Sequence, residues 1–172
     1  KNRYIRTKAF LAEQKAGKTI YGGIMLPIVP DLDLIGIDGD KGPIKNGAFI
    51  HIIGHANRYM AMSEAAPAYE VNLQLETFGE WKPLGAEKPI SAGPHTRLDP
   101  KAQDLYFICY DVEPPYLVYY RLDSQGHLVE TKSIEKSNST MMHDFVLTEN
   151  YIIFFDCPAV FDVKAIDKNE PI

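Results

Sequence analysis

The chain has 172 residues, 45% of them hydrophobic and 24% charged, with a formal net charge of −5. That length supports one domain with a real core, and the acidic balance, with no Lys/Arg cluster, excludes a nucleic-acid binder. No window reaches the roughly 18 apolar residues that cross a membrane, and no signal-peptide pattern opens the chain. From the N-terminus, Thr7–Lys18 reads as a short helix, with Phe10, Leu11 and Gln14 near helical spacing and Gly17 as its C-cap. Gly22 to Gly47 reads as a long loop, broken by Pro27, Pro30 and Pro43 and by the run Gly36-Ile37-Asp38-Gly39-Asp40-Lys41-Gly42. Its apolar residues Ile24, Met25, Leu26, Ile28, Val29, Leu32, Leu34 and Ile35 either cover the core or form an exposed patch that meets a membrane or an apolar substrate.

Beyond residue 47 the pattern is short β-prone runs between turn residues. Phe49–His55 and Arg58–Glu64 flank Ala56-Asn57 as a hairpin, and Ala68–Leu73 follows Pro67. Asp104–Tyr110 and Tyr116–Leu122 bracket Glu113-Pro114-Pro115, a loop because proline cannot continue a ladder. Asp123-Ser124-Gln125-Gly126 is a tight turn into His127–Ile134, and Phe145–Thr148 with Tyr151–Asp156 bracket Glu149-Asn150. About nine strands, recurring every 10–12 residues or so, indicate an antiparallel sandwich, barrel or propeller; as four-stranded blades they would make two to two and a half blades, one side of a ring. Cys109 and Cys157 sit in apolar runs and read as buried free thiols, which suits a reducing, cytoplasmic compartment. The chain starts at Lys1 rather than Met and stops at Glu170-Pro171-Ile172 just as a further strand begins, so a partial chain is expected.

Five histidines offer chemistry. His127, in a turn, reads as a solvated residue. His51 and His55 share one face of a strand, but a His-x3-His pair on a strand is about 13 Å apart, too far to share a metal. His95 and His143 differ, since each stands at the mouth of a β-prone run and 48 residues separate them. Repeats of four-stranded sheets have periods of about 40–50 residues, so two such imidazoles can point at one axis from neighbouring units. Imidazole suits Fe, Zn, Cu and Ni alike, so ligand type does not name the metal. Glu64 closes the run Tyr59-Met60-Ala61-Met62-Ser63-Glu64; it is either an exposed strand-end acid or the carboxylate that takes the far N–H of a metal-bound imidazole. No Ser/His/Asp arrangement, glycine-rich phosphate loop or Cys-x-x-Cys pair is present.

Ordered motifs along the chain resemble the carotenoid cleavage oxygenases: Gly93–Pro100, Pro114-Pro115-Tyr116-Leu117 with Tyr119-Tyr120, Met141–Phe145, Thr148-Glu149-Asn150-Tyr151 and Phe154-Phe155-Asp156. Asn2–Thr7, Met60–Glu64, Pro67 and Tyr69-Glu70 fit as well, and the resemblance is weakest between Gly22 and Gly47. It implies an all-β fold, part of a seven-bladed β-propeller with a short N-terminal helix, residues 1–172 forming a partial domain. It also implies a non-haem Fe(II) held by four histidines, three of them supported by glutamates. Residue by residue, His95 matches the first iron ligand, His143 the second, and Glu64 the first supporting glutamate, while the other ligands fall beyond Ile172. The implied reaction is cleavage of a conjugated carbon–carbon double bond of a lipophilic polyene by O2, giving two carbonyl products, with the segment alone inactive. The lignostilbene-cleaving branch carries a lysine immediately before this glutamate, against a phenolic oxygen; Ser63 stands there, which favours a carotenoid or apocarotenoid over a stilbene. A stilbene-cleaving dioxygenase or a retinoid isomerase on the same scaffold is the enzyme alternative, and a β-propeller binding module with structural histidines is the non-enzyme one. The apolar segment Ile24–Ile35 would fit peripheral membrane contact. Phe145, Tyr119 and Phe154 are of a kind to line a polyene tunnel, although core packing is the simpler assignment for each.

Overall fold

A computed structural model describes residues 2–166, 168 and 170. In chain order it contains α1 (Lys8–Ala16), α2 (Leu32–Ile35), β1 (His51–His55), β2 (Arg58–Met62), β3 (Ala66–Pro67), β4 (Tyr69–Val71), β5 (Thr77–Glu80) and β6 (Ser91–Ala92). There follow β7 (Arg97–Leu98), β8 (Leu105–Tyr110), β9 (Leu117–Leu122), β10 (Leu128–Ser133), β11 (Phe145–Leu147), β12 (Ile152–Phe154) and α3 (Val163–Ile166). Two four-stranded antiparallel sheets, β1-β2-β4-β5 and β10-β9-β8-β7, are two blades of a β-propeller, and the β11–β12 hairpin is part of a third. β3 pairs with β6 outside these sheets.

Helix α1 is capped at both ends by the residues that define it. Thr7 Oγ1 accepts the Phe10 N–H at 3.1 Å, and Gly17, at φ 66°, returns its N–H to the Glu13 carbonyl. Its small face, Ala9 and Ala12, packs on Ile20, Tyr21 and Ile35. The β1–β2 hairpin turns on Ala56 and Asn57, both left-handed at φ 49° and 60°, the geometry that matches the twist of two paired strands.

The blades are joined by their cores. Met60 and Met62 of β2 meet Leu105 and Phe107 of β8, Leu122 of β9 and Trp81 in one buried cluster. Phe107 lies at its centre, stacked on Tyr120 with centroids 5.0 Å apart and edge-on to Trp81 at 6.0 Å. A second cluster joins Ile108 and Tyr110 of β8 to Leu117, Tyr119, Met142 and Phe145, seating β11 against the second blade. Strand β8 is buried on both faces, which is why its sequence is a continuous apolar run.

The structure corrects several expectations. Twelve strands occur among the described residues where about nine are expected, because β3, β6 and β7 have two residues each and show no periodicity, and Gly79 interrupts the alternation of β5. Thr7–Lys18 is not the only helical stretch: α2 is one turn within the 22–47 loop, and α3 follows residue 162. Pro171 and Ile172, where a further strand is expected, lie outside the described residues. Cys109 is buried, but Cys157 lies in the exposed segment after β12 and is no buried thiol. Most of the apolar loop residues point outward, with Met25 70% and Leu32 63% exposed, while Ile35 enters the core. The exposed patch is therefore the alternative the structure favours.

Phe107 is fully buried between two blades, so the Phe107→Ala substitution is expected to cost about 3–5 kcal/mol. Denaturant unfolding of the full-length variant, read as a lower midpoint, checks this.

Candidate metal centre

Four strand ends converge on one point. His95 stands two positions before β7 and His143 two before β11, while Glu64 stands two positions after β2 and Tyr110 ends β8. β8 holds the His95 loop directly, for the Gly93 N–H donates to the Ile108 carbonyl at 2.6 Å. A side chain at Gly93 would place its Cβ 3.2 Å from that oxygen, a tight contact that β8 would have to yield to by a few tenths of an ångström.

The two imidazoles meet at their outer nitrogens. His95 Nε2 lies 3.0 Å from His143 Nε2, with the rings inclined at 72°. On its other side, His143 Nδ1 is 2.7 Å from Glu64 Oε2. A carboxylate only accepts, so His143 carries its proton on Nδ1 and turns the lone pair of Nε2 toward His95. Two nitrogens each about 2.1 Å from one ion and about 90° apart are about 3.0 Å from each other, so the pair has the spacing of neighbouring ligands on one metal. Imidazole nitrogens with a carboxylate behind one of them form a donor set that fits Fe(II). Among the described residues no third His, Cys, Asp or Glu joins the pair in a metal-holding group.

Glu64 is not an exposed strand-end acid; its side chain is 12% exposed. Its second oxygen, Oε1, accepts the hydroxyl of Tyr110 at 2.7 Å. Burial, reinforced by the hydrogen bond and negative charge of Glu64, raises the Tyr110 phenol far above the ordinary tyrosine range, so it acts as a donor throughout. Glu64 and Tyr110 also border a cavity of about 320 Å³, with Ala65, Ile24, Ile44 and Phe161 around it. Neither imidazole lines it, so it adjoins the back of the hydrogen-bond chain rather than the place where the two Nε2 atoms point.

A second tie joins the histidine loops. Arg97 donates to Asp144 Oδ1 at 2.7 Å and lies 5.3 Å over the Phe145 ring, while Asp144 Oδ1 also accepts the Phe145 N–H at 2.7 Å. Tyr110, Arg97 and Asp144 are the residues that sequence reasoning missed here; Arg97 and Asp144 were visible only as charges two and one positions after the histidines. The remaining histidines stand apart: His55 is buried and bonds the Gln103 carbonyl at 2.9 Å, His51 is exposed on β1, and His127 pairs with Asp123 in its turn. Phe145 and Tyr119 are buried in the second core cluster and Phe154 packs against it, so all three are core residues.

The family model described as retinal pigment epithelial membrane protein matches residues 1–171. Isoeugenol monooxygenase of Pseudomonas nitroreducens is 28% identical over 99% of this chain and 35% of its own length. A carotenoid cleavage oxygenase of Mycobacterium tuberculosis is 33% identical over 70% of this chain and 24% of its own. Among solved structures, the lignostilbene dioxygenase of Pseudomonas brassicacearum superposes on 98% of this chain with a TM-score of 0.83 at 28% identity, covering 35% of that chain. The chain thus spans about a third of the length of the relatives it matches.

Replacing Arg97 by Ala removes a partly exposed ion pair and a cation–π contact, so a loss of about 1 kcal/mol is expected. The unfolding midpoint of the full-length variant, with an unchanged denaturant slope, checks it.

Proposed function

Because this chain belongs to the retinal pigment epithelial membrane protein family, that of the carotenoid cleavage oxygenases, we propose that it carries half of the iron site of a dioxygenase that cleaves a conjugated carbon–carbon double bond. The observation that supports this is the 3.0 Å approach of His95 Nε2 to His143 Nε2 with Glu64 behind His143. His95 and His143 would hold Fe(II), and the resemblance puts the other two histidine ligands further along the full-length protein. Iron held there would supply the activation of O2, and cleavage by a dioxygenase leaves one oxygen atom on each carbon of the broken double bond.

What the residues of this chain contribute is orientation. Glu64 keeps the His143 proton on Nδ1, so the Nε2 lone pair is available and aimed. The Arg97–Asp144 pair keeps the two histidine loops at one separation.

An apocarotenoid is the substrate class we favour. Ser63 is 3% exposed, so the position before Glu64 offers no cation to a phenolic oxygen, unlike the lysine of the lignostilbene-cleaving branch. A stilbene or phenylpropenoid is the second reading, favoured by the match of lignostilbene dioxygenase and isoeugenol monooxygenase across nearly the whole chain. The exposed residues Met25, Val29, Leu32 and Ile37 support contact with a membrane surface, from which a polyene would be drawn. No helix among the described residues is long and apolar enough to cross one. Co-sedimentation of the full-length protein with lipid vesicles, lost in a Met25→Asp/Val29→Asp variant, is the expected outcome; retention would remove the patch from this role.

The full-length protein, loaded with Fe(II) under O2, is expected to convert an apocarotenoid into two carbonyl fragments, identified by mass spectrometry, and to leave a hydroxystilbene intact. Cleavage of the stilbene alone would transfer the assignment to the second reading, and cleavage of neither would overturn the oxygenase reading. The 172-residue segment by itself, with two of four ligands, is expected to be inactive in the same assay.

A further inference from the structure

We propose that Tyr110 is a positioning residue of the metal site, its hydroxyl locking the Glu64 carboxylate in the orientation that holds His143. This rests on the reading of His95 and His143 as iron ligands. A glutamate carboxylate turns easily about its last torsion, which has no sharp minima. One hydrogen bond, to His143 Nδ1, leaves that rotation open. A second bond from a different direction closes it, and Tyr110 supplies one at 2.7 Å to the opposite oxygen. Both bonds have the length of charge-assisted pairs.

Tyr110 is itself well fixed. It ends β8, pairs with Leu117 of β9, and is 4% exposed, its ring stacked on Phe161 with centroids 6.2 Å apart and planes at 11°. Two residues earlier on the same strand, the Ile108 carbonyl holds the His95 loop through Gly93. One strand therefore sets both imidazoles: His95 through the backbone, and His143 through Tyr110 and Glu64. A phenylalanine would fill the same core volume, so packing alone does not call for the hydroxyl; among the described residues its only partner is Glu64.

The test uses the full-length protein and Co(II), whose visible absorption reports ligand geometry, with affinity measured by titration. Carboxylates behind ligating histidines are worth about 10–100-fold in metal affinity, so Tyr110→Phe is expected to weaken Co(II) binding about 3–10-fold and to shift the visible bands. Thermal unfolding of the metal-free protein reports whether the variant folds. In a Glu64→Gln background the same Tyr110→Phe change is expected to alter affinity less than about twofold, since coupled residues are not additive. Unchanged affinity and spectrum in Tyr110→Phe would overturn the proposal, as would an equal loss in both backgrounds, which marks a purely structural role. If Tyr110→Phe does not fold, Glu64→Gln alone decides, since unchanged Co(II) affinity there removes the group through which Tyr110 acts. Failure of the wild-type protein to bind Co(II) would instead overturn the iron-site reading itself, and this inference with it.

Discussion

An imidazole with both nitrogens free can flip, rotate and exchange tautomers, and a pair of them does not keep one geometry. The hydrogen bond from His143 Nδ1 to Glu64 removes those freedoms from one ring, and the candidate centre depends on it. The bond spans the fold. Glu64 leaves the first blade after β2 and His143 enters the third after the second blade has been completed. It can form only if the blades pack at one fixed spacing. That spacing is set by the shared core of Met60, Met62, Leu105, Phe107 and Trp81, whose close packing tolerates little shift. Apolar burial far from the nitrogens therefore determines where they stand.

The parts of this fold legible in the sequence are those governed by near neighbours. Thr7 and Gly17 mark α1 because capping is a local hydrogen-bond matter, and Ala56-Asn57 marks the first hairpin because two residues separate its β-prone runs and Asn accepts left-handed backbone. Long apolar runs gave β8 and β9. Strands that exist only through distant partners were hidden: Ala66–Pro67 pairs with Ser91–Ala92, and Arg97–Leu98 is a strand only because Tyr106 and Leu105 lie beside it. Thr77–Glu80 was missed as well, since Gly79 at φ 123° interrupts any alternation. Cys157 looked buried because apolar residues precede it, yet β12 ends at Phe154 and the thiol falls outside the sheet.

The candidate site divides along the same line. His95 and His143 stood out from their spacing and their place before strands, and Glu64 from its place after one. Their convergence is a long-range fact that motif order in a family can suggest and local pattern cannot. Tyr110 gave no signal at all. In the run Leu105-Tyr106-Phe107-Ile108-Cys109-Tyr110 it is one more apolar strand residue, and only the fold shows that its hydroxyl meets a carboxylate. The polar end of a tyrosine is invisible to hydropathy, which is why such residues go unnoticed in core strands.

Placing two facing imidazoles at one end of these blades has a physical consequence. Two imidazole nitrogens 3.0 Å apart, each with its lone pair directed at the same space, repel unless one of them takes the proton or a cation lies between them. In the neutral ring, the tautomer that Glu64 selects leaves His143 Nε2 without a proton. His95 can relieve the contact by donating from Nε2, since its Nδ1 is not engaged by a carboxylate as that of His143 is. The two rings are thus not equivalent. His143 is held with its lone pair exposed, while His95 can turn or change tautomer as the charge in front of it changes. On this arrangement the supported ring is the fixed partner of the pair, and the unsupported ring is the one free to adapt.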